Sequence, residues 1–234
     1  MIISRNVGSA SILCSLQLIH KDFFFKTLLR LIIEENNMLE SRPVGQIIVF
    51  NAIHGGFFSS ANRFFTRMPY THVAFVVEPV FGVDSYFGAE LSATTQPFNN
   101  IIKDKDYMYQ VYRPIGWTKP QLNNALKQIY MRYAGQTYGF AQVLWFIYRY
   151  IAESWPFHAD VRRGHNFFPN RPICSEICWW YLWFLYEERP DLVQLRDKLG
   201  EWSPDTFNAG DSARVIQSFP TLFVKTEERW QGRK

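Results

Sequence analysis

Residues Arg171–Leu182 read RPICSEICWWYL: a proline, a cysteine two positions on, then a nearly unbroken run of apolar and aromatic side chains. Pro172 is the kind of residue that precedes or opens a helix, which places Cys174 in the first turn of the helix predicted from Ile173 onward. That helix is apolar on nearly every face, so it is expected at the centre of the fold. Its run Ile177–Leu185 is about half of the roughly 20 apolar residues that span a bilayer. A thiol at such a helix start meets the positive end of the helix dipole and unpaired backbone N–H groups. Both favour a thiolate, and the N–H groups are placed to hold a developing oxyanion. The competing reading is a small buried hydrophobe, and position alone does not separate the two.

The surrounding chain sets bounds. With 234 residues, 47% of them apolar and 18% aromatic, it is long enough to bury a substantial core, and one domain over residues 43–234 with an N-terminal extension over 1–42 is the expectation. The formal charge of +4 comes from 25 basic and 21 acidic residues that are scattered, not blocked, and gives little support to a nucleic-acid partner. Three cysteines, Cys14, Cys174 and Cys178, form an odd set that argues for reduced thiols over a disulfide framework. GSASILCSLQLI (8–19) resembles a short signal core, but no A-x-A-like site follows and charges resume at once, so a cytoplasmic location is expected. The oligomeric state is not legible.

Along the chain, VGQIIVFNA (44–52) and THVAFVVE (71–78) read as strands, and YMYQVYRP (107–114) alternates well enough for another. Turn signals at EPVFG, GAE and NNIIKDKD put the short extended pieces between them into hairpins, hence an antiparallel meander or small barrel. Thr118 is placed to cap a helix whose Leu122, Ala125, Leu126, Ile129, Tyr130 and Tyr133 recur at helical spacing, with Gly135 just past its end. Further helices are predicted around Asp22–Glu35, over 139–155 and after EERPD. SPDTF reads as a serine cap with Pro204 at the first helical position, and ARVIQS and TLFVK are expected to close the sheet. The fold class is therefore α+β, a sheet or small barrel packed against helices.

His72 opens an apolar strand after a loop, where its ring is free to leave the sheet end while Val73, Ala74 and Phe75 pack; it is a candidate base for Cys174, or an ordinary surface histidine. Glu90 is the one acid in a small-to-apolar stretch that can lie beside His72, and suits the role of orienting an imidazole, with Asp84 and Glu78 as competitors.

In this order, VGQIIVF, THVAFVV, GAELSATTQPF, GQTYGFAQVLWF, ICSEICWWYL and SPDTFNAG resemble the circularly permuted NlpC/P60 papain-like hydrolases, the YiiX/YaeF-like group, over about Pro43–Val224. The resemblance implies a papain-like fold in permuted order, with Cys174 as nucleophile, His72 as base, Glu90 as the orienting residue and Tyr138 lining the pocket. It implies hydrolysis of amide or ester bonds through an acyl-enzyme, on a cell-wall peptide or an acylated lipid or amine, with no cofactor. Gln46 and Gly139 stand where the family often has aspartates. A non-catalytic papain-like binding or virion module is the alternative.

Two further readings concern partners. Cys174 and Cys178 share a helical face and would need His158 or His165 to hold zinc, but paired zinc ligands come from tighter turns, so no metal is expected. The aromatic segment 140–150 with Arg149 leaves room for peripheral membrane contact, and Arg162, Arg163 and Arg171 suit an anionic headgroup or peptide carboxylate. A buried core and a solvated basic loop account for the same residues.

Overall fold

The computed structural model describes residues 41–52, 69–89, 92–103, 107–137, 139 and 173–229. All the elements described belong to the compact unit Arg42–Lys234. Glu90, Tyr138, Arg162, Arg163, Arg171, His158, His165 and Cys14, with the helices expected over Asp22–Glu35 and 139–155, lie outside the described residues.

Strand β1 (Ile47–Ala52) carries apolar side chains on both faces because both faces are covered. Ile47 and Val49 join the larger core with the helices, while Ile48 and Phe50 join a second core on the opposite face. β2 (His72–Val80), β3 (Val83–Ala89) and β4 (Ala93–Pro97) form the expected antiparallel hairpins. The β2–β3 turn places Phe81 and Gly82 at φ of 52° and 77°, the positive values that two-residue hairpin turns favour.

A plain meander ends at β4. After the short helix α1 (Asn99–Lys103), β5 (Tyr107–Pro114) returns to pair with β1, and β6 (Phe223–Arg229) pairs with β5. The strand order is β4-β3-β2-β1-β5-β6, an open six-stranded sheet with antiparallel neighbours, and not a closed barrel among the described residues. In a plain meander the doubly apolar β1 would expose its unpaired edge, and β5 covers it.

Helix α2 (Lys119–Tyr133) starts as expected: the Gln121 side-chain oxygen accepts from the Thr118 N–H and hydroxyl at 2.9 and 3.0 Å. It buries Leu122, Ala125, Leu126, Ile129 and Tyr133, and Gly135 takes φ of 80° just beyond its end. Helix α3 (Cys174–Glu188) is central, packed on β2, α2, α4 (Val193–Leu199), the 3₁₀ turn Pro204–Thr206 and α5 (Ala209–Ser218). Residues 213–218, expected to close the sheet, instead belong to α5. Asn208 accepts from the Asp211 N–H at 2.9 Å, and Ala209, Ala213 and Ile216 are buried at helical spacing, so a cap and a 3.6-residue period prevail. Of TLFVK, Phe223, Val224 and Lys225 do enter the sheet, as the start of β6.

Gly45 fixes how β1 enters against α3. It sits at φ of 84°, its carbonyl accepts the Tyr181 hydroxyl at 2.8 Å, and a Cβ there would lie 2.9 Å from that oxygen and 3.0 Å from Leu122 Cβ.

Candidate active site

Two chain ends of regular structure meet here. His72 is the first residue of β2, opposite Phe50 of β1, and its ring stacks on Phe50 with centroids 5.3 Å apart. Cys174 is the first residue of α3, which packs on β2. The Cys174 Sγ lies 4.0 Å from His72 Nδ1 and 3.8 Å from the Thr71 carbonyl oxygen. Residues 102 positions apart in sequence are thus in contact.

Desolvation sets the protonation of the half-buried histidine. His72 is held down to about 4, because the charged imidazolium loses its solvation there. At neutral pH the ring is therefore uncharged and available to accept a proton. Among the described residues, the backbone N–H groups of Cys174, Ser175 and Glu176 precede the first intrahelical bond of α3, from Ile177 N–H to the Ile173 carbonyl at 3.2 Å. They leave an electropositive helix end beside the sulfur.

Glu176, two residues after Cys174, secures that helix end. It is the third residue of the helix, so its carboxylate faces the dipole's positive end, a favourable place for an acid. Tyr133 of α2 donates to its Oε1 at 3.0 Å, and its buried Oε2 has no hydrogen-bond partner. Burial raises its pKa to about 7, partly offset by the Tyr133 hydrogen bond. Cys178, one turn on, is fully buried, and burial pushes its thiol up to about 12. It is packing, not a partner of Cys174 in chemistry.

The competitors for the orienting role are far from the ring. Glu78 lies six residues along β2 from His72, about 20 Å at strand rise, exposed and paired with Lys119 at 2.9 Å. Asp84 sits at the hairpin end of β3, where it accepts from the Arg42 N–H at 3.4 Å. The register Ala74↔Gly88 brings the other end of β3 beside the start of β2.

Thr71, whose carbonyl meets the sulfur, links it to a second polar residue not singled out from the sequence. The Thr71 hydroxyl donates to Asn51 Oδ1 at 3.2 Å, and both residues are buried. The legible signal was an asparagine inside the otherwise apolar IIVFNA, where a polar side chain needs a reason to be buried.

The described elements define an α+β protein whose helix-borne cysteine meets a strand-borne histidine. No protein-family model matches the chain, and no curated protein matches it. Among solved structures the chain is similar to the crystal structure of metalloprotein yiiX from Escherichia coli O157:H7, with 17% identity and a TM-score of 0.50 over 82% of this chain and 99% of that one. At this identity the likeness speaks for the fold. That protein is described as a metalloprotein; here, among the described residues, no three His, Cys, Asp or Glu side chains converge as a metal site would require. Nor is any described helix long and apolar enough to cross a membrane.

Proposed function

We propose that the chain is a cysteine-dependent hydrolase of amide or ester bonds working through an acyl-enzyme, on a permuted papain-like frame in which the histidine strand precedes the cysteine helix. The observation that carries this is the contact between the Cys174 thiol, at the N-terminus of α3, and His72 Nδ1 at 4.0 Å. That separation is at the outer edge of hydrogen-bond reach, as resting sites are before substrate tightens them.

His72 takes the thiol proton at Nδ1 while Cys174 Sγ bonds to the substrate carbonyl carbon and the carbonyl electrons move to oxygen. The N–H groups at the α3 N-terminus stabilise that oxyanion. On collapse the bond to the leaving group breaks, and His72 returns its proton to that group. Water then attacks the thioester with His72 again accepting a proton, and the acid product departs as the thiol is restored. Glu90 would orient the imidazole, and Tyr138 and Arg171 would line the substrate side. The substrate class is an acylated lipid or amine, or a cell-wall peptide. The aromatic content favours the former, with peripheral membrane contact as its corollary.

The test is mapping of iodoacetamide and activated-ester adducts across pH on the parent, Cys174→Ala, Cys178→Ala and His72→Ala. Adducts confined to Cys174, insensitive to Cys178→Ala and slowed in His72→Ala, are expected. A parent in which Cys178 is the labelled thiol, or in which no acyl group reaches Cys174, would leave a non-catalytic papain-like module as the better reading.

A further inference from the structure

Asn51 is the penultimate residue of β1, and it is wholly buried. Side chains alternate along a strand, so Asn51 shares its face with Val49 and Ile47, which belong to the core that contains Cys174, while Phe50 points into the other core. Its Oδ1 is fixed by the Thr71 hydroxyl at 3.2 Å, and the carbonyl of the same Thr71 lies 3.8 Å from Cys174 Sγ. One residue thus ties the asparagine amide to the nucleophile.

The other end of that amide, Nδ2, is buried and makes no hydrogen bond. An unmade bond at a buried donor costs on the order of 1–3 kcal/mol, and a catalytic role is one of the reasons such a group is kept. Its chemistry is a neutral donor held in a water-poor site by a strand and a hydrogen bond. That matches what a carbonyl oxygen needs as it becomes an oxyanion, because a preoriented donor costs no reorganisation when the charge appears. The α3 N-terminus supplies backbone donors beside Cys174, and among the described residues Thr71 alone links this further donor to the same sulfur.

Resting on the acyl-transfer reading above, we propose that Asn51 Nδ2 is the side-chain donor of the oxyanion hole, completing the backbone donors at the start of α3. The ligand it serves is the carbonyl oxygen of the acyl substrate, whatever its leaving group.

The test separates two reactions of one sulfur. Acylation of Cys174 by p-nitrophenyl acetate passes through a tetrahedral oxyanion and releases p-nitrophenolate. Alkylation by iodoacetamide displaces iodide at an sp³ carbon and forms no oxyanion. In Asn51→Leu the acylation rate should fall about 100-fold or more, the loss typical of one oxyanion donor, while the alkylation rate and its pH profile stay within about twofold of the parent. Thr71→Val frees the amide without deleting it and should lower acylation about tenfold with alkylation unchanged; it carries the test if Asn51→Leu melts early. Parallel loss of both reactions in the folded variants would mean that Asn51 only positions the sheet end, and the proposal fails. Equal acylation in parent and variant overturns it alone. A parent alkylated at Cys174 but never acylated, or modified by neither reagent, overturns it together with the hydrolase reading.

Discussion

The first and second turns of α3 hold chemically identical side chains in different surroundings. Cys174 and Cys178 share a helix face and both are buried, but only the first touches polar groups that fit a reaction: His72 Nδ1, the Thr71 carbonyl and the end of a helix. Cys178 sits one turn deeper among side chains of α3, α5 and the sheet, where burial holds its thiol near 12 and a thiolate is out of reach at neutral pH. Burial alone therefore does not decide the fate of a cysteine. What decides it is whether a strand end delivers a base and a helix end delivers donors to the same sulfur.

The comparison breaks first at Cys174 itself. Cys174→Ala should reduce turnover of any substrate found to background, whereas Cys178→Ala should leave kcat/KM within about twofold of the parent; steady-state rates on purified variants check both. If the second variant is the inactive one, the assignment of the two turns is reversed.

His72→Ala should lower kcat/KM by roughly 10²–10⁴-fold, the range for loss of a general base. In the parent, kcat/KM should rise with pH through about 4, where the half-buried imidazole loses its proton, and then level off. A rise centred near the ordinary histidine value would show that the ring is solvated in the free enzyme.

The polar first turn also leaves a signature in stability. Glu176 is raised in the fold, from 4.5 to about 7, so its contribution is fully present below 4.5 and lost as pH climbs through 7. His72 is lowered, from 6.5 to about 4, so its contribution is present above 6.5 and lost as pH falls through 4. Between those limits the two slopes oppose each other. Glu176→Gln keeps a neutral side chain of similar shape. It should match the parent at pH 4 and exceed it at pH 8 by on the order of 2 kcal/mol, since each factor of about ten in proton affinity corresponds to roughly 1.4 kcal/mol before relaxation of the site reduces it. Thermal melts of both proteins across pH read the difference directly, and a constant offset would remove Glu176 from the account.

The smallest effect belongs to the apolar turn. Cys178→Ala deletes one buried sulfur and should cost about 1 kcal/mol, with a correspondingly lower denaturation midpoint and no change in its pH dependence.

Much of this organisation is legible because it is locally encoded. Thr118 with Gln121, the spacing Leu122–Ala125–Leu126–Ile129–Tyr133 and Gly135 specify α2 within one stretch of chain, since caps and helical periodicity act over three or four residues. The same holds for the β2–β3–β4 hairpins and for the buried run after Cys174. ARVIQS reads as strand by its short apolar alternation, yet the Asn208–Asp211 cap just upstream commits it to a helix. Of the candidate site, the order of His72 before Cys174 is readable, Asn51 shows only as a polar residue in the apolar IIVFNA, and Thr71 does not stand out. Each is an ordinary polar residue until a neighbour from another part of the chain gives it a partner.

The amino-acid sequence by itself determined α2, the apolar helix after Ile173, the hairpins and which side chains had reactive chemistry to offer, because those follow from turns, caps and periods within a few residues. Only the tertiary structure decided that β5 pairs with β1, that Glu176 turns to Tyr133, and that Cys174 meets His72 while Cys178 does not. Those outcomes depend on contacts between residues tens to a hundred positions apart, which form only when the two cores on either side of β1 are buried together.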